Sequence, residues 1–148
     1  DANVKVADVK RVAFCSGKIY YDLLESQKKN NSNDVAIVRV EQLYPTPVDQ
    51  MEAIVAKYKN VEDVVWVQEE PENQGAWPYL LRRLRKTSLS NIDVISRRES
   101  SSPATGYMKQ HAKQQAYIVA KAFEISVAKV AKQPIKETAK NAVKDKVN

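Results

Sequence analysis

One stretch decides the fold of this chain, and it reads Val64-Val65-Trp66-Val67-Gln68-Glu69-Glu70-Pro71-Glu72-Asn73-Gln74-Gly75-Ala76-Trp77. An apolar run ends in two carboxylates, a Pro and an Asn-Gln-Gly sequence turn the chain, and an aromatic residue opens a helical pattern. The stretch therefore predicts a buried strand, a loop at its carboxyl end and a helix N-terminus. Ligands and partners of open α/β sheets collect at that edge of the sheet, so this loop is the first place to look for function.

The same strand–loop–helix plan recurs along the rest of the chain. Apolar and β-branched runs predict further strands at residues 10–16, 35–40 and 92–96. Helical spacing of apolar residues predicts a helix after each strand, and the last of them carries its stripe from Ala112 to Val127. This alternation predicts a three-layer α/β/α fold with a mostly parallel, Rossmann-like sheet.

The helix after the second predicted strand has a clear start signal. Leu43-Tyr44-Pro45 is extended, because a residue before proline avoids the helical region. Thr46 is predicted to cap the helix N-terminus with its side chain, with Pro47 in the first helical position.

Length and charge divide the chain into three parts. Its 148 residues suit one domain with a tail, and we predict a lead-in at 1–9, a domain at 10–124 and a lysine-rich helical or disordered tail at 125–148. The tail carries +4 of the net charge of +6, so the domain is close to balanced. No aromatic residue follows Phe123 to stack on a base, which argues against nucleic-acid binding.

Several classes of protein and site do not fit the sequence. No run is apolar for long enough to predict a membrane span, and the N-terminus does not resemble a signal peptide. The first residue is Asp1, which suggests a fragment of a longer polypeptide. Only three glycines are present, too few and too scattered for a dinucleotide-binding fingerprint, and Gly17-Lys18 lacks the rest of the phosphate-loop pattern.

Few residues could carry chemistry. Glu69 and Glu70 are the best acid–base candidates, but neighbours on a strand point to opposite faces and would not form a dyad. A structural role, accepting hydrogen bonds from loop amides or pairing with Arg97, is as good an interpretation. His111 is the only histidine and lies in a predicted helix, and Cys15 has no second histidine to activate it.

A polar loop follows the fourth predicted strand. Arg97 and Arg98 stand beside the hydroxyl-rich segment from Ser100 to Gly106. Because guanidinium groups bind planar anions through two parallel hydrogen bonds, this pair could bind an anion or a carboxylate partner.

Four motifs in order resemble one family, the C-terminal region of the decarboxylating component of the 2-oxoglutarate dehydrogenase complex. They are Cys15-Ser16-Gly17-Lys18-Ile19-Tyr20-Tyr21-Asp22-Leu23, Val38-Arg39-Val40-Glu41-Gln42-Leu43-Tyr44-Pro45, the segment from Trp66 to Trp77, and the segment from Ser100 to Gly106. The resemblance implies the fold of a transketolase C-terminal domain, which packs in a homodimer.

The resemblance also implies a reaction for the whole enzyme. Such enzymes use thiamine diphosphate and Mg²⁺ to decarboxylate 2-oxoglutarate and pass the succinyl group to the lipoyl arm of the dihydrolipoyl succinyltransferase, in the tricarboxylic acid cycle. The family's Gly-Asp-Gly…Asn cofactor motif is absent here. We therefore expect no catalytic, cofactor-binding or metal-binding residue in this fragment and expect the fragment alone to be inactive.

A supporting role is then expected for the polar loop edge. We expect it to face the upstream thiamine-binding domains or the homodimer mate, through the candidate residues Glu69, Glu70, Asn73, Trp77, Arg97 and His111. Two alternatives stay open: the same domain of a 2-oxoadipate dehydrogenase or other thiamine enzyme, and a free-standing basic protein-interaction module. The expected location is the cytoplasm in a bacterium or the mitochondrial matrix in a eukaryote.

Overall fold

The computed structural model describes residues 1–125, in which strands and helices alternate as predicted. The strands are β1 (Arg11–Cys15), β2 (Val35–Arg39), β3 (Asp63–Pro71) and β4 (Asp93–Arg97). The helices are α1 (Ile19–Asn30), α2 (Val48–Ala56), α3 (Trp77–Leu84) and α4 (Met108–Phe123). The predicted tail lies outside the described residues from 126 onward.

The strands form one parallel sheet in the order β2-β1-β3-β4. Two helices pack on each face, so the predicted three-layer α/β/α fold is confirmed. Helices α1 and α4 share a buried cluster with one set of strand residues, and α2 and α3 share a second cluster with the alternate set. This arrangement follows from the crossovers, because parallel neighbours must be joined across a face of the sheet.

The period of two along each strand decides which face a side chain reaches. Val12, Phe14 and Trp66 pack in the cluster with α2 and α3. Ala13 and Val65, one residue away, pack in the cluster with α1 and α4. The near-continuous apolar runs of these strands thus bury both faces of the sheet, as the sequence predicts.

The start of α2 differs from the prediction. Pro47 occupies the N-cap position of α2, so Thr46 lies one residue too early to cap it, and its hydroxyl instead donates to Leu43 O at 2.9 Å. Helix α4 begins at Met108, one turn before the apolar stripe that starts at Ala112, and it contains His111 as the sequence predicts. None of the helices within residues 1–125 is long and apolar enough to cross a bilayer.

Candidate functional site

The candidate site lies where the strand order reverses. From β1 the chain moves to β2 at one side of the sheet, then returns past β1 to β3, so the carboxyl ends of β1 and β3 flank a switch point. A cavity of about 530 Å³ opens there, lined by Lys18 after β1, by Glu69 and Glu70 at the end of β3, and by the exposed loop residue Tyr44. The predicted loop edge is therefore a concave surface.

Glu69 belongs to a polar network that joins β3 to both helices of one face. Its Oε1 accepts a hydrogen bond from Gln115 Nε2 of α4 at 2.7 Å and lies 3.5 Å from Lys18 Nζ. The same Gln115 nitrogen donates to Asp22 Oδ2 of α1 at 2.8 Å. The two carboxylates raise the pKa of Lys18, Glu69 first and Asp22 second, since both favour its ammonium form.

Glu70 points to the other face of the strand, as expected from the alternation of side chains. It is exposed, and among residues 1–125 its carboxylate has no hydrogen bond or ion pair. It lies against Gly75, where an added Cβ would come within 3.1 Å of both the Cβ and Oε2 atoms of Glu70. Glu69 and Glu70 thus have separate surroundings and form no dyad.

Gln68 organises the loop between β3 and α3, and sequence reasoning missed it. It is 4% exposed, and its Oε1 accepts hydrogen bonds from Trp66 Nε1 and from the backbone N–H of Trp77, each at 3.0 Å. Its Nε2 donates to the carbonyls of Pro71 at 3.0 Å and Gln74 at 2.8 Å. One buried amide therefore fixes both ends of the loop. The sequence feature that could have identified Gln68 is its position directly after a buried apolar run.

Asn73 ties this loop to the loop after β4. Its Nδ2 donates to Ser100 O at 3.0 Å, and its Oδ1 accepts from Ser100 N at 3.1 Å. Gln74 Nε2 donates to the same carbonyl at 2.7 Å. The two polar loops at the carboxyl edge are thus held together by side-chain bonds to one peptide backbone, although both loops are exposed.

Arg97 and His111 form a second pair, which has no bond to Glu69 or Glu70 among the described residues. Arg97, the last residue of β4, is 8% exposed, and its Nη2 lies 2.9 Å from His111 Nδ1 in the first turn of α4. The suggested pairing of a β3 glutamate with Arg97 is wrong. Glu69 bonds Lys18, which precedes α1, and Gln115 of α4, and the carboxylate of Glu70 has no ion pair among residues 1–125. The side chain of His111 is otherwise exposed.

Trp77 supports the loop from inside. It is the first residue of α3, is 6% exposed and packs in the cluster with Trp66 and Leu80. Of the six candidates, Glu69, Glu70, Asn73 and Trp77 thus gather around the β3–α3 loop. Arg97 and His111 meet each other beyond the β4–α4 loop.

The described residues offer little for catalysis. Burial raises the pKa of the Cys15 thiol to about 12, so the thiolate nucleophile is suppressed at neutral pH. Within residues 1–125 no three His, Cys, Asp or Glu side chains come together to hold a metal ion. The described residues therefore do not provide the cluster of ligands that would fit the Mg²⁺ that accompanies thiamine diphosphate. Whether the fragment is inactive stays a prediction.

The comparison with known families decides which group the chain belongs to. The model of the family described as 2-oxoglutarate dehydrogenase C-terminal matches residues 1–123. The chain belongs to this family. The match covers all eight elements of the 2-oxoglutarate dehydrogenase C-terminal fold described above, including both polar loops.

Curated relatives carry the same family name. The chain is 46% identical over 126 residues to an oxoglutarate dehydrogenase of Buchnera aphidicola. This alignment covers 84% of this chain and 14% of the relative. It is 49% identical over 115 residues to a 2-oxoglutarate dehydrogenase E1 component of Haemophilus influenzae. That alignment covers 76% of this chain and 12% of the relative. The chain thus spans about one seventh of the length of these relatives.

Proposed function

We propose that this chain is the C-terminal assembly domain of a thiamine diphosphate-dependent 2-oxoglutarate dehydrogenase. In that enzyme 2-oxoglutarate is decarboxylated and the succinyl group passes to the lipoyl group of the dihydrolipoyl succinyltransferase. The observation that carries the proposal is the family match over residues 1–123, which includes every described strand and helix. Relatives named as E1 components support it, since such a component works within a multienzyme complex.

The domain's part in this function is to present a rigid polar edge. Gln68 fixes the β3–α3 loop, and Asn73 joins that loop to the loop after β4. An exposed edge held by buried or paired amides is suited to docking, because little conformational entropy is lost when a partner binds. The proposed partners are the upstream thiamine-binding domains of the same polypeptide and the homodimer mate.

Catalysis is assigned to residues outside this chain. Thiamine diphosphate supplies the carbanion chemistry when it is bound with Mg²⁺ in the full enzyme. In our proposal upstream domains bind both groups, and the residues described here hold neither. The role of this chain is to position those domains.

The proposal is tested in the longer polypeptide that contains these residues. Replacing Asn73 and Glu70 by alanine should lower the dimer affinity and the 2-oxoglutarate-dependent reduction of NAD⁺ in the reconstituted complex. The matched control is Arg85→Ala, because Arg85 is an exposed residue just after α3. Analytical sedimentation measures the dimer affinity. A dimer affinity and an activity equal to those of the wild type in the Asn73→Ala/Glu70→Ala variant would refute the docking role.

The same assay tests the choice of substrate. The wild-type polypeptide should reduce NAD⁺ faster with 2-oxoglutarate than with 2-oxoadipate, at equal concentrations of the two acids. The reverse preference would assign the chain to a 2-oxoadipate dehydrogenase. Because the family match concerns this domain alone, that result would change the substrate and leave the proposed assembly role standing.

A further inference from the structure

Arg97 is a buried positive charge that has no anionic partner among residues 1–125. Arg97 is 8% exposed, yet no carboxylate within residues 1–125 pairs with it. Its one side-chain hydrogen bond is to His111 Nδ1, and its buried Nε has no partner in the described part of the chain. A guanidinium carries five N–H donors, so residues 1–125 accept from only a small part of the hydrogen-bonding capacity of Arg97.

Such a charge is costly to bury. Removing an ion from water costs several kcal/mol, and an opposite charge or good hydrogen bonds must offset that cost. The contrast with Arg11 is instructive, because Arg11 is also buried but donates to Asp63 Oδ2 at 2.6 Å and to two carbonyls of α4. The fold can therefore neutralise a buried arginine, and at Arg97 it does so only in part.

Arg97 lines a cavity between β4 and α4 that has a volume of about 710 Å³. That volume is in the range of small-molecule sites. Four further cations line it. Arg11 and Lys121 are paired with Asp63 and Glu124, whereas Arg98 and Lys113 are exposed and have no ion pair among the described residues. The acidic residues in the lining are Asp63, which pairs with Arg11, Glu72, which follows β3, and Asp93, the first residue of β4.

We propose that this cavity binds a small anion, with a phosphate or carboxylate group on Arg97 and with Arg98 and Lys113 contributing charge at the entrance. Arg97 Nη2 carries two protons, so it can keep its bond to His111 and still donate to an oxygen of the ligand. The planar fork of a guanidinium matches two oxygens of a carboxylate or phosphate. The site lies apart from the switch-point cavity and does not depend on the proposed dehydrogenase function.

The test uses the 148-residue chain and two probes, inorganic phosphate and succinate, titrated by calorimetry at constant ionic strength. Saturable binding of at least one probe is expected. Arg97→Gln should weaken it by at least about tenfold, because it removes the buried charged donor. Lys113→Gln should weaken it about two- to fivefold, and its exposed position leaves the fold intact.

Arg85→Gln is the matched control. Arg85 is an exposed arginine outside this cavity, so its loss should leave the affinity unchanged. The proposal fails if neither probe binds saturably, or if Arg97→Gln and Lys113→Gln bind as tightly as the wild type. Equal weakening by Arg85→Gln would also refute it, because it would indicate a general effect of charge.

A second arm distinguishes a free anion from a carboxylate side chain of the same protein. The titration is repeated with the longer polypeptide that contains these residues. Binding of comparable affinity there supports a free ligand, as proposed. Binding by the 148-residue chain that is lost in the longer polypeptide would overturn the proposal, because an internal carboxylate would then occupy Arg97.

Discussion

The backbone N–H of Trp77 donates to the side-chain oxygen of Gln68 at 3.0 Å, across the loop between β3 and α3. This bond places the first turn of α3 against the end of the central strand. The same glutamine binds the indole N–H of Trp66, so both tryptophans of the chain depend on one buried amide. The loop is thus fixed by hydrogen bonds to a side chain as well as by packing.

Replacing Gln68 by leucine should therefore destabilise the fold strongly. The change keeps the approximate size of the side chain but leaves the Trp66 and Trp77 donors and the Pro71 and Gln74 carbonyls without this partner. We expect a loss of about 3 kcal/mol or more in the free energy of unfolding, measured with urea. Gln50→Leu, at an exposed position of α2, should change it by no more than about 0.5 kcal/mol. Equal effects of the two variants would contradict the role of Gln68.

The three glycines lie in three different loops and provide a graded test of backbone strain. Gly75→Ala should be the most damaging, at about 2 kcal/mol, because φ is +66° and the new Cβ would lie 3.2 Å from Gln68 Nε2. Gly17→Ala has a similar φ of +70° but open space, so it should cost about 1 kcal/mol. Gly106→Ala has neither constraint and should be nearly neutral. Urea unfolding of the three variants checks this order, and any other order would contradict it.

The sequence predicts the layers of this fold better than it predicts the site. The strands are predictable because a parallel sheet is buried on both faces, so its strands have short, nearly continuous apolar runs such as residues 64–67. The apolar stripe of α4 does not mark where the helix begins, because its first turn, from Met108 to His111, is exposed. Periodicity detects burial, so it does not detect an exposed turn.

The contacts of the site depend on which elements are neighbours in space. Glu69 was expected to bond loop amides or Arg97, but it meets Gln115, which lies 46 positions away in sequence. Arg97 meets His111 because α4 packs beside β4. A strand-end position predicts the edge of the sheet and does not identify the partner, which is set by the packing of a distant helix.

A buried ion pair joins the amino end of the sheet to the end of α4. Arg11 bonds Asp63 and also donates to the carbonyls of Lys121 and Ala122. Asp63→Asn should lower the free energy of unfolding by about 3 kcal/mol, because it leaves the Arg11 charge buried and uncompensated. Replacing both residues, as in Arg11→Met/Asp63→Asn, should recover part of that loss, since no buried charge remains.

The control for that prediction is the ion pair between Lys121 and Glu124, whose side chains are 40% and 64% exposed. Glu124→Gln should change the free energy of unfolding by less than about 0.5 kcal/mol, because water screens an exposed pair. Urea unfolding measures all of these variants. A cost at Glu124 as large as that at Asp63 would show that burial of the pair is not the cause.

Cys15 makes stability depend on alkaline pH, and the sign follows from its burial. Burial raises the pKa of the thiol from its ordinary value of 9.0 to about 12. Below the ordinary value both folded and unfolded chains hold the proton. Above it the unfolded thiol ionises while the folded one does not, so the contribution of Cys15 falls as the pH rises from about 9 towards 12.

The measurement compares urea unfolding of the wild type and of Cys15→Ala at about pH 8 and about pH 10.5. Between these two values the wild type should lose about 2 kcal/mol more than the variant, since one pKa unit corresponds to 1.36 kcal/mol. Other groups that titrate in this range, including Tyr58, are present in both proteins and cancel in the comparison. Equal losses in the two proteins would mean that the Cys15 thiol ionises as readily in the fold as in the unfolded chain, and the burial argument would fail.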